Sequence, residues 1–448
     1  MPFASGCGTR SAGPAPACES PGASHLNVRA RALELLRHRG SQSGVRGTGR
    51  SRTPALPHAV RGVVAPGSRS ALSGVFCTAA SNCWAVGNFD STTSGATLNE
   101  VLHWDGTAWS QVTVPSPGGN ALGDVSELLA VRCRVASDCW AVGQYFNNNS
   151  AALDQALHWN GTKWSAVPTP TPGGTLNGDD NELFDVTCSA ASSCWAAGEY
   201  GNDANHGLTL NQLLRWNGRK WSLVASAPQP AGTSDGDFQA LGSVRCTSAS
   251  NCLAVGTFGT QTSTFVMQNE ALRWDGTKWS TLTVPSPGGT ANFDFSVLSG
   301  LACASATFCW AAGSYGTFAP GPPELNQILF WDGTTWTQDN NIADPDGTGQ
   351  GATNELLDAT CSSASNCWAV GDFGSIQDGV GEILNQALHW DGAAWSLTLP
   401  PDPGGITDES FNKLSAIRCT AKTNCWAVGR TDRVNVALHW DGTMWSTG

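Results

Sequence analysis

The residues best placed for covalent chemistry are cysteines. Sixteen occur in 448 residues, and fourteen form seven pairs of one spacing: a cysteine, five residues, then a second cysteine. Cys77 pairs with Cys83, Cys133 with Cys139, Cys188 with Cys194 and Cys246 with Cys252. Cys303 pairs with Cys309, Cys361 with Cys367 and Cys419 with Cys425, which leaves Cys7 and Cys18 outside the pattern. A zinc site needs four ligands, and each pair offers two. His103, His158, His389 and His439 recur near four pairs, but the same repeat position is Arg215, Arg273 or Phe330 in others. A disulfide needs only that two Cα atoms face each other at ~5.5–6 Å, as the arms of a hairpin do. We therefore expect seven disulfides and neither metal nor cofactor. Such bridges persist in oxidising compartments, which predicts an extracellular or cell-surface protein, although no signal-peptide core is readable.

A second set of side chains could contact a ligand. Two residues after the glycine of each Cys-Trp-Ala-Val-Gly-like run stand Phe89, Tyr145, Tyr200, Phe258, Tyr315 and Phe373, with Thr431 in the last repeat. These include all three tyrosines of the chain. Repeated aromatic faces suit sugar stacking; the same positions would also serve as packing beneath loops. Acids gather nearby in sequence, among them Asp124, Glu127, Asp179, Asp180, Glu182, Asp235, Asp237, Asp344, Asp346, Asp408 and Glu409. A solvated acidic surface explains them, and no Asp-x-Asp-x-Asp-Gly calcium loop is present. No Gly-rich phosphate loop, serine elbow or His-Glu metal motif occurs either. Arg132, Arg245 and Arg418 share one repeat position, just before the first cysteine, where a structural role is expected.

The elements that position these groups repeat seven times. First cysteines are 56, 55, 58, 57, 58 and 58 residues apart, and each pair is followed by Leu-His-Trp-Asp-Gly-Thr-x-Trp or a variant, as at Leu102–Trp109 and Leu438–Trp445. Strand-rich units of this length are propeller blades. Each reads as four strands, for example Glu355–Cys361, Cys367–Phe373, Asn385–Trp390 and Trp395–Leu399. The expected fold is all-β, a seven-bladed β-propeller of four-stranded antiparallel blades, with repeats starting near 72, 128, 183, 241, 298, 356 and 414. The turn between third and fourth strands is Asp-Gly in five repeats and Asn-Gly in two. That dipeptide predicts a two-residue type I′ hairpin, pairing Trp104 with Thr107 and Leu102 with Trp109. The Asn-Gln pairs Asn211-Gln212, Asn326-Gln327 and Asn385-Gln386 read as polar clamps on loop backbone.

The Trp-Ala-Val-Gly-like second strand and the Asp-Gly-Thr-x-Trp turn resemble the repeats of Asp-box and photosystem II assembly-factor propellers, over residues 72–448. The resemblance implies the propeller architecture. Asp332 lies four positions before Trp336, one fewer than an Asp box has, and Phe330 stands where Ser or Thr would be. Activity is not carried over.

Composition bounds the rest. The chain has net charge −12, so nucleic acid is not an expected partner, and no apolar run is long enough to span a membrane. Residues 1–70 hold ten arginines and two acids, net +8, which leaves −20 on the other 378 residues. Residues 1–58 are expected to be a disordered basic leader, with the propeller over 59–448 and residues 59–65 closing the ring on the last blade. The expected function is that of a secreted, monomeric, non-catalytic binder. It would take a protein or glycan on the rim of longer, varied loops, such as Asn88–Thr97 and Asp339–Thr353. The alternatives are a glycoside hydrolase-like enzyme with acids in the central funnel, or a multivalent lectin.

Overall fold

The computed structural model describes residues 69–202, 208–261, 264–319, 321–374, 381–432 and 434–448. The basic leader, Cys7, Cys18 and the proposed closing segment 59–65 lie outside the described residues. The described chain forms 28 strands and no helix. They make seven antiparallel sheets, each of four consecutive strands, A to D. This is a seven-bladed β-propeller. Blade one runs Ser70–Ala79, Asn82–Asp90, Thr97–Trp104 and Trp109–Gln111. Blade six runs Asn354–Ser363, Asn366–Phe373, Leu384–Trp390 and Trp395–Thr398, within a few residues of the expected strands. A strands of successive blades pack on one another round the ring, the last on the first. They therefore line the central channel, and D strands lie outermost.

A backbone contact explains the glycine that ends each Trp-Ala-Val-Gly run. Strand A carries a bulge after Leu72, and a Cβ on Gly87 would run into the carbonyl oxygen of Ala71. The same collision recurs at Gly143 against Glu127 and at Gly371 against Glu355.

Each blade carries one disulfide between its A and B strands. Cys83 bonds to Cys77, Cys139 to Cys133, Cys194 to Cys188 and Cys252 to Cys246. Cys309 bonds to Cys303, Cys367 to Cys361 and Cys425 to Cys419. The partners are opposite each other in the ladder, as Cys77 is to Cys83. The expected spacing needs correction: the Cα atoms are only 3.9–4.0 Å apart in all seven bridges. So short a distance belongs to the narrow pairs of an antiparallel ladder, not to the ~5.5 Å of the wide ones. The B-strand sulfurs sit in the inter-blade core, since Cys83, Cys139, Cys194, Cys252, Cys309, Cys367 and Cys425 are all fully buried. These cysteines are therefore structural and present no reactive group to a ligand.

Closing so short a loop stabilises the fold by roughly 2 kcal/mol per bridge on the chain-entropy account. Thiol titration of the purified chain in denaturant without reductant should find at most the two cysteines outside the pairs. Fourteen further reactive sulfhydryls would refute the pairing.

The C–D turn departs from expectation. Trp104 pairs with Trp109, His103 with Ser110 and Leu102 with Gln111, so the loop holds four residues, Asp105–Ala108. The reason is the carboxylate. Asp105 Oδ1 accepts from Thr107 N–H (2.8 Å), Thr107 Oγ1–H (2.7 Å) and Ala108 N–H (3.0 Å), an Asx-type closure. Only the glycine takes positive φ (Gly106, 97°). Leu102, Trp104 and Trp109 share a face, and Thr107 points to solvent instead of joining them.

That face carries the inter-blade core. The B-strand Trp of one blade wedges into the C/D pair of the next. Trp84 lies 4.9 Å from Trp159 and 5.4 Å, edge-on, from Trp164, and Trp426 lies 4.8 and 5.2 Å from Trp104 and Trp109. The 20 tryptophans are thereby all used. Blade four supplies Leu253 in place of the wedge, against Trp331 and Trp336. The tryptophan pattern thus closes the circle from blade seven to blade one.

Candidate functional site

Two rims present chemistry. On the rim of B–C and D–A loops, the six sequence-derived aromatics Phe89, Tyr145, Tyr200, Phe258, Tyr315 and Phe373 all stand at the ends of B strands and are half-buried. Burial pushes the phenols of Tyr145, Tyr200 and Tyr315 up from their ordinary value. Tyr145 walls a pocket of 300 Å³ with Pro117, Pro168, Thr169 and Thr171, and Asp154 and Gln155 also line it. The six rings belong to six separate blades and do not converge on one cleft.

The acids of this rim mostly serve the loops. Asp124 Oδ2 accepts the N–H of Ala121, Asp179 Oδ2 that of Leu176 and Asp237 Oδ2 that of Ser234, at 2.7–2.8 Å. Asp344 takes Asn326 N–H at 2.8 Å. Such internal uses explain the acidic spacing without a bound cation. Among the described residues no three His, Cys, Asp or Glu side chains are grouped to hold a metal. His103, His158, His389 and His439 stack on B-strand tryptophans. Each meets an Asn or Asp oxygen at 2.6–2.8 Å through Nε2.

The Asn-Gln pairs do more than clamp loops. They lie in C strands and join neighbouring blades. Asn99 Nδ2 donates to Gln155 Oε1 (2.8 Å) and Gln155 Nε2 returns to Asn99 Oδ1 (3.0 Å); Asn269 with Gln327 and Asn326 with Gln386 repeat the exchange. Gln155 Nε2 also reaches the carbonyl oxygens of Glu127 and Gln144 within its own blade. The girdle returns to its start when Asn435 Nδ2 donates to Glu100 Oε2 at 2.7 Å. Ser70 Oγ accepts the Asn435 N–H at 3.2 Å. Between blades six and seven the girdle is broken, because Val436 holds the glutamine position and Asn385 Oδ1 is left buried without a partner.

Three girdle members are acids where the repeat has amides. Glu100 and Glu270 stand at the Gln position and Asp154 at the Asn position. The glutamines there donate to backbone carbonyls, so a carboxylate would set its charge among acceptors. Burial lifts Glu100 to about 7, with the Asn435 donor opposing. Glu270 and Asp154 are raised well above their ordinary values by burial, opposed by Asn211 and Gln212. A further buried group joins blades six and seven: Lys413 Nζ is 3.2 Å from both Glu355 Oε2 and Asp372 Oδ1.

On the disulfide rim the channel opens into a cavity of 450 Å³, lined by Arg132, Arg245 and Arg418 with Phe76, Thr187 and A–B turn residues of blades four and five. Arg245 Nη1 donates to Asp185 Oδ2 and its Nη2 is 3.9 Å from Asp358 Oδ1. Phe76 carries the other two, with Arg418 4.3 Å and Arg132 5.2 Å from its ring centroid.

No protein-family model matches the chain, and no curated protein does. Several solved structures share its shape at low identity. An ulvan lyase, a polysaccharide lyase bound to a GlcA–Rha3S repeat, is 10% identical with TM-score 0.49, over 88% of this chain and 95% of that one. The β-propeller domain of the trilobed protease from Pyrococcus furiosus is 7% identical with TM-score 0.46, over 85% and 97%. An α-L-arabinofuranosidase of Fusarium graminearum is 11% identical with TM-score 0.41, over 68% and 88%. At these identities the likeness is one of fold alone.

The aromatics were legible in sequence, and so was the shared position of the three arginines. Their convergence was not, because only the closed ring brings residues of blades two, four and seven to one axis. The inter-blade girdle was readable in principle. An Asn followed by Gln or Glu, repeated at the blade period on a buried strand, requires partners that its own blade does not contain.

Proposed function

We propose that this chain is a secreted, non-catalytic, monomeric binding propeller that holds a glycan or protein ligand on the rim of B–C and D–A loops. One observation carries the reading: the Tyr145 pocket, where a half-buried aromatic face is bordered by prolines and threonines. An apolar wall with a few polar groups suits a sugar ring or a proline-rich segment. The rigid, disulfide-pinned ring supports loops that vary between blades, which is where binding is placed on such scaffolds. The strongly shifted carboxylates Glu100, Glu270 and Asp154 are engaged by girdle amides, which favours a structural use of them over acid–base turnover. The seven disulfides favour an oxidising location, and the Asp-box likeness remains a resemblance of the repeat alone.

A glycan array, a proline-rich peptide panel and polysaccharide hydrolysis assays on the purified chain test this directly. Saturable binding that Tyr145→Ala weakens by about tenfold or more, the scale of a lost aromatic anchor, is the expected result. Turnover of any polysaccharide, or binding indifferent to Tyr145, would overturn it.

A further inference from the structure

The channel mouth on the disulfide rim is separate from the loop rim and carries the opposite charge character. We propose that it binds a doubly charged oxyanion, sulfate or phosphate, where Arg132 and Arg418 both pack on Phe76.

Three observations support the site. First, the repeat position before the first cysteine is Phe76, Arg132, Thr187, Arg245, Ala302, Thr360 and Arg418 in successive blades. Blade one thus has an aromatic flanked round the ring by arginines of the two neighbouring blades. Second, both guanidinium groups lie over the same ring, at 4.3 and 5.2 Å. Cation–π attraction to the shared ring offsets part of the repulsion between them, and guanidinium forks are groups that oxyanions can match bidentately. Third, Arg418 is deeply set: its Nε is buried without a hydrogen-bond partner. Burial and the nearby Arg132 charge lower it to about 9, with Asp358 opposing. An anion beside Arg418 would offset part of that cost.

The surrounding charges define the specificity. Asp185 and Asp358 line a small pocket with Arg132 and Arg245, where Arg245 engages Asp185, and they repel an anion that enters it. Asp185 is also held by Ser243 Oγ–H and Val244 N–H at 2.7 and 2.9 Å, and Asp358 by Ile417 N–H at 3.0 Å. These bonds hold both carboxylates in place. The 450 Å³ cavity is larger than one oxyanion, and Thr247, Ser248 and Ser305 add hydroxyls at its opening. A sulfate or phosphate carried on a small sugar therefore fits as well as the free ion.

Calorimetry at fixed ionic strength with sodium sulfate, sodium phosphate, glucose 6-sulfate and, as control, chloride tests the proposal on the full chain. The expected result is one saturable site per chain for the divalent anions. Each of Arg132→Gln and Arg418→Gln should weaken it about tenfold, the scale of one lost charge-assisted pair. Arg219→Gln, on an exposed C–D turn, should leave it unchanged. Tighter binding of glucose 6-sulfate than of free sulfate would show that the anion is a substituent of a larger ligand; equal binding would assign the free ion. Should Arg418→Gln fail to fold, Arg418→Lys keeps the charge but loses the fork and should still weaken binding. No saturable binding up to about 10 mM, or binding indifferent to Arg132 and both Arg418 variants, would overturn the proposal. Tyr145→Ala does not touch this mouth, so the loop-rim reading and this one fail separately.

Discussion

Trp426→Ala is expected to destabilise the ring by about 3–5 kcal/mol, the range for emptying a buried tryptophan site. Trp426 is 2% exposed and wedges between Trp104 and Trp109, with Leu72, Val75 and Leu102 in the same cluster. It is the wedge of the seam between blade seven and blade one. Elsewhere a wedge and its socket belong to blades consecutive in sequence, so losing one leaves the two sheets tethered. Here the socket lies at the other end of the propeller sequence, and the other seam contacts include single hydrogen bonds from Asn435 to Ser70 and Glu100. Guanidinium unfolding should therefore show a lower midpoint. Trp426→Ala should also give a shallower slope than Trp140→Ala, because an opened seam exposes blade faces before the remaining sheets melt. The chain itself indicates the tolerated substitute. Blade four uses Leu253 at this position, 3% exposed, so Trp426→Leu should cost about 1–3 kcal/mol. A Trp426→Ala midpoint within error of the unmodified chain would show that the seam is held elsewhere.

The architecture was legible because the repeat imposes the same physical problem seven times. Cysteine spacing, the glycine after Trp-Ala-Val and the tryptophans on either side of the C–D turn each answer that problem in the same way from blade to blade, so strand boundaries such as Cys367–Phe373 could be read to within a residue or so. The C–D turn was misjudged for a local reason. Asp-Gly fits both a two-residue and a four-residue loop, and the closure of backbone N–H groups on the Asp or Asn side chain decides between them, since blades three and six make the same loop with Arg219 and Ala393 in the threonine position. The binding chemistry was less legible still. Arg132 and Arg418 are 286 residues apart in sequence, and only circular closure makes them neighbours across Phe76. A period finds equivalent positions; it does not reveal which equivalents meet on the axis.

Closure also sets a pH dependence. The last girdle bond accepts on Glu100, which burial lifts from 4.5 to about 7. In the unfolded chain this group ionises near its ordinary value, so between the two values the folded state holds the extra proton. Stability therefore falls as pH rises through that window. It is unaffected by Glu100 below about 4.5, and the full loss is present above about 7. A window of that width corresponds to roughly 3 kcal/mol. Glu100→Gln restores the amide found in blades two, three, five and six, which needs no proton to donate to the carbonyls around it. The substitution should leave stability near pH 4 almost unchanged and raise it by roughly 3 kcal/mol at about pH 8. Glu270→Gln should act in the same direction at the seam between blades three and four, since burial raises Glu270 too. The opposite sign applies to the exposed turn carboxylates Asp105, Asp275 and Asp441. Side-chain and backbone donors hold each at about 2, so their contribution is present above the ordinary carboxylate range and is lost as pH falls toward 2. The buried girdle acids thus lower stability toward neutral pH and the turn aspartates lower it toward acid pH, while His103, His389 and His439, whose charged forms burial disfavours, add stability as pH rises toward 6.5 and oppose part of the girdle loss. Denaturant midpoints from about pH 3 to 9 for the natural chain and for Glu100→Gln isolate the girdle. Parallel curves would mean that Glu100 is ionised at no cost in the folded ring, and that the girdle does not close through a protonated acid.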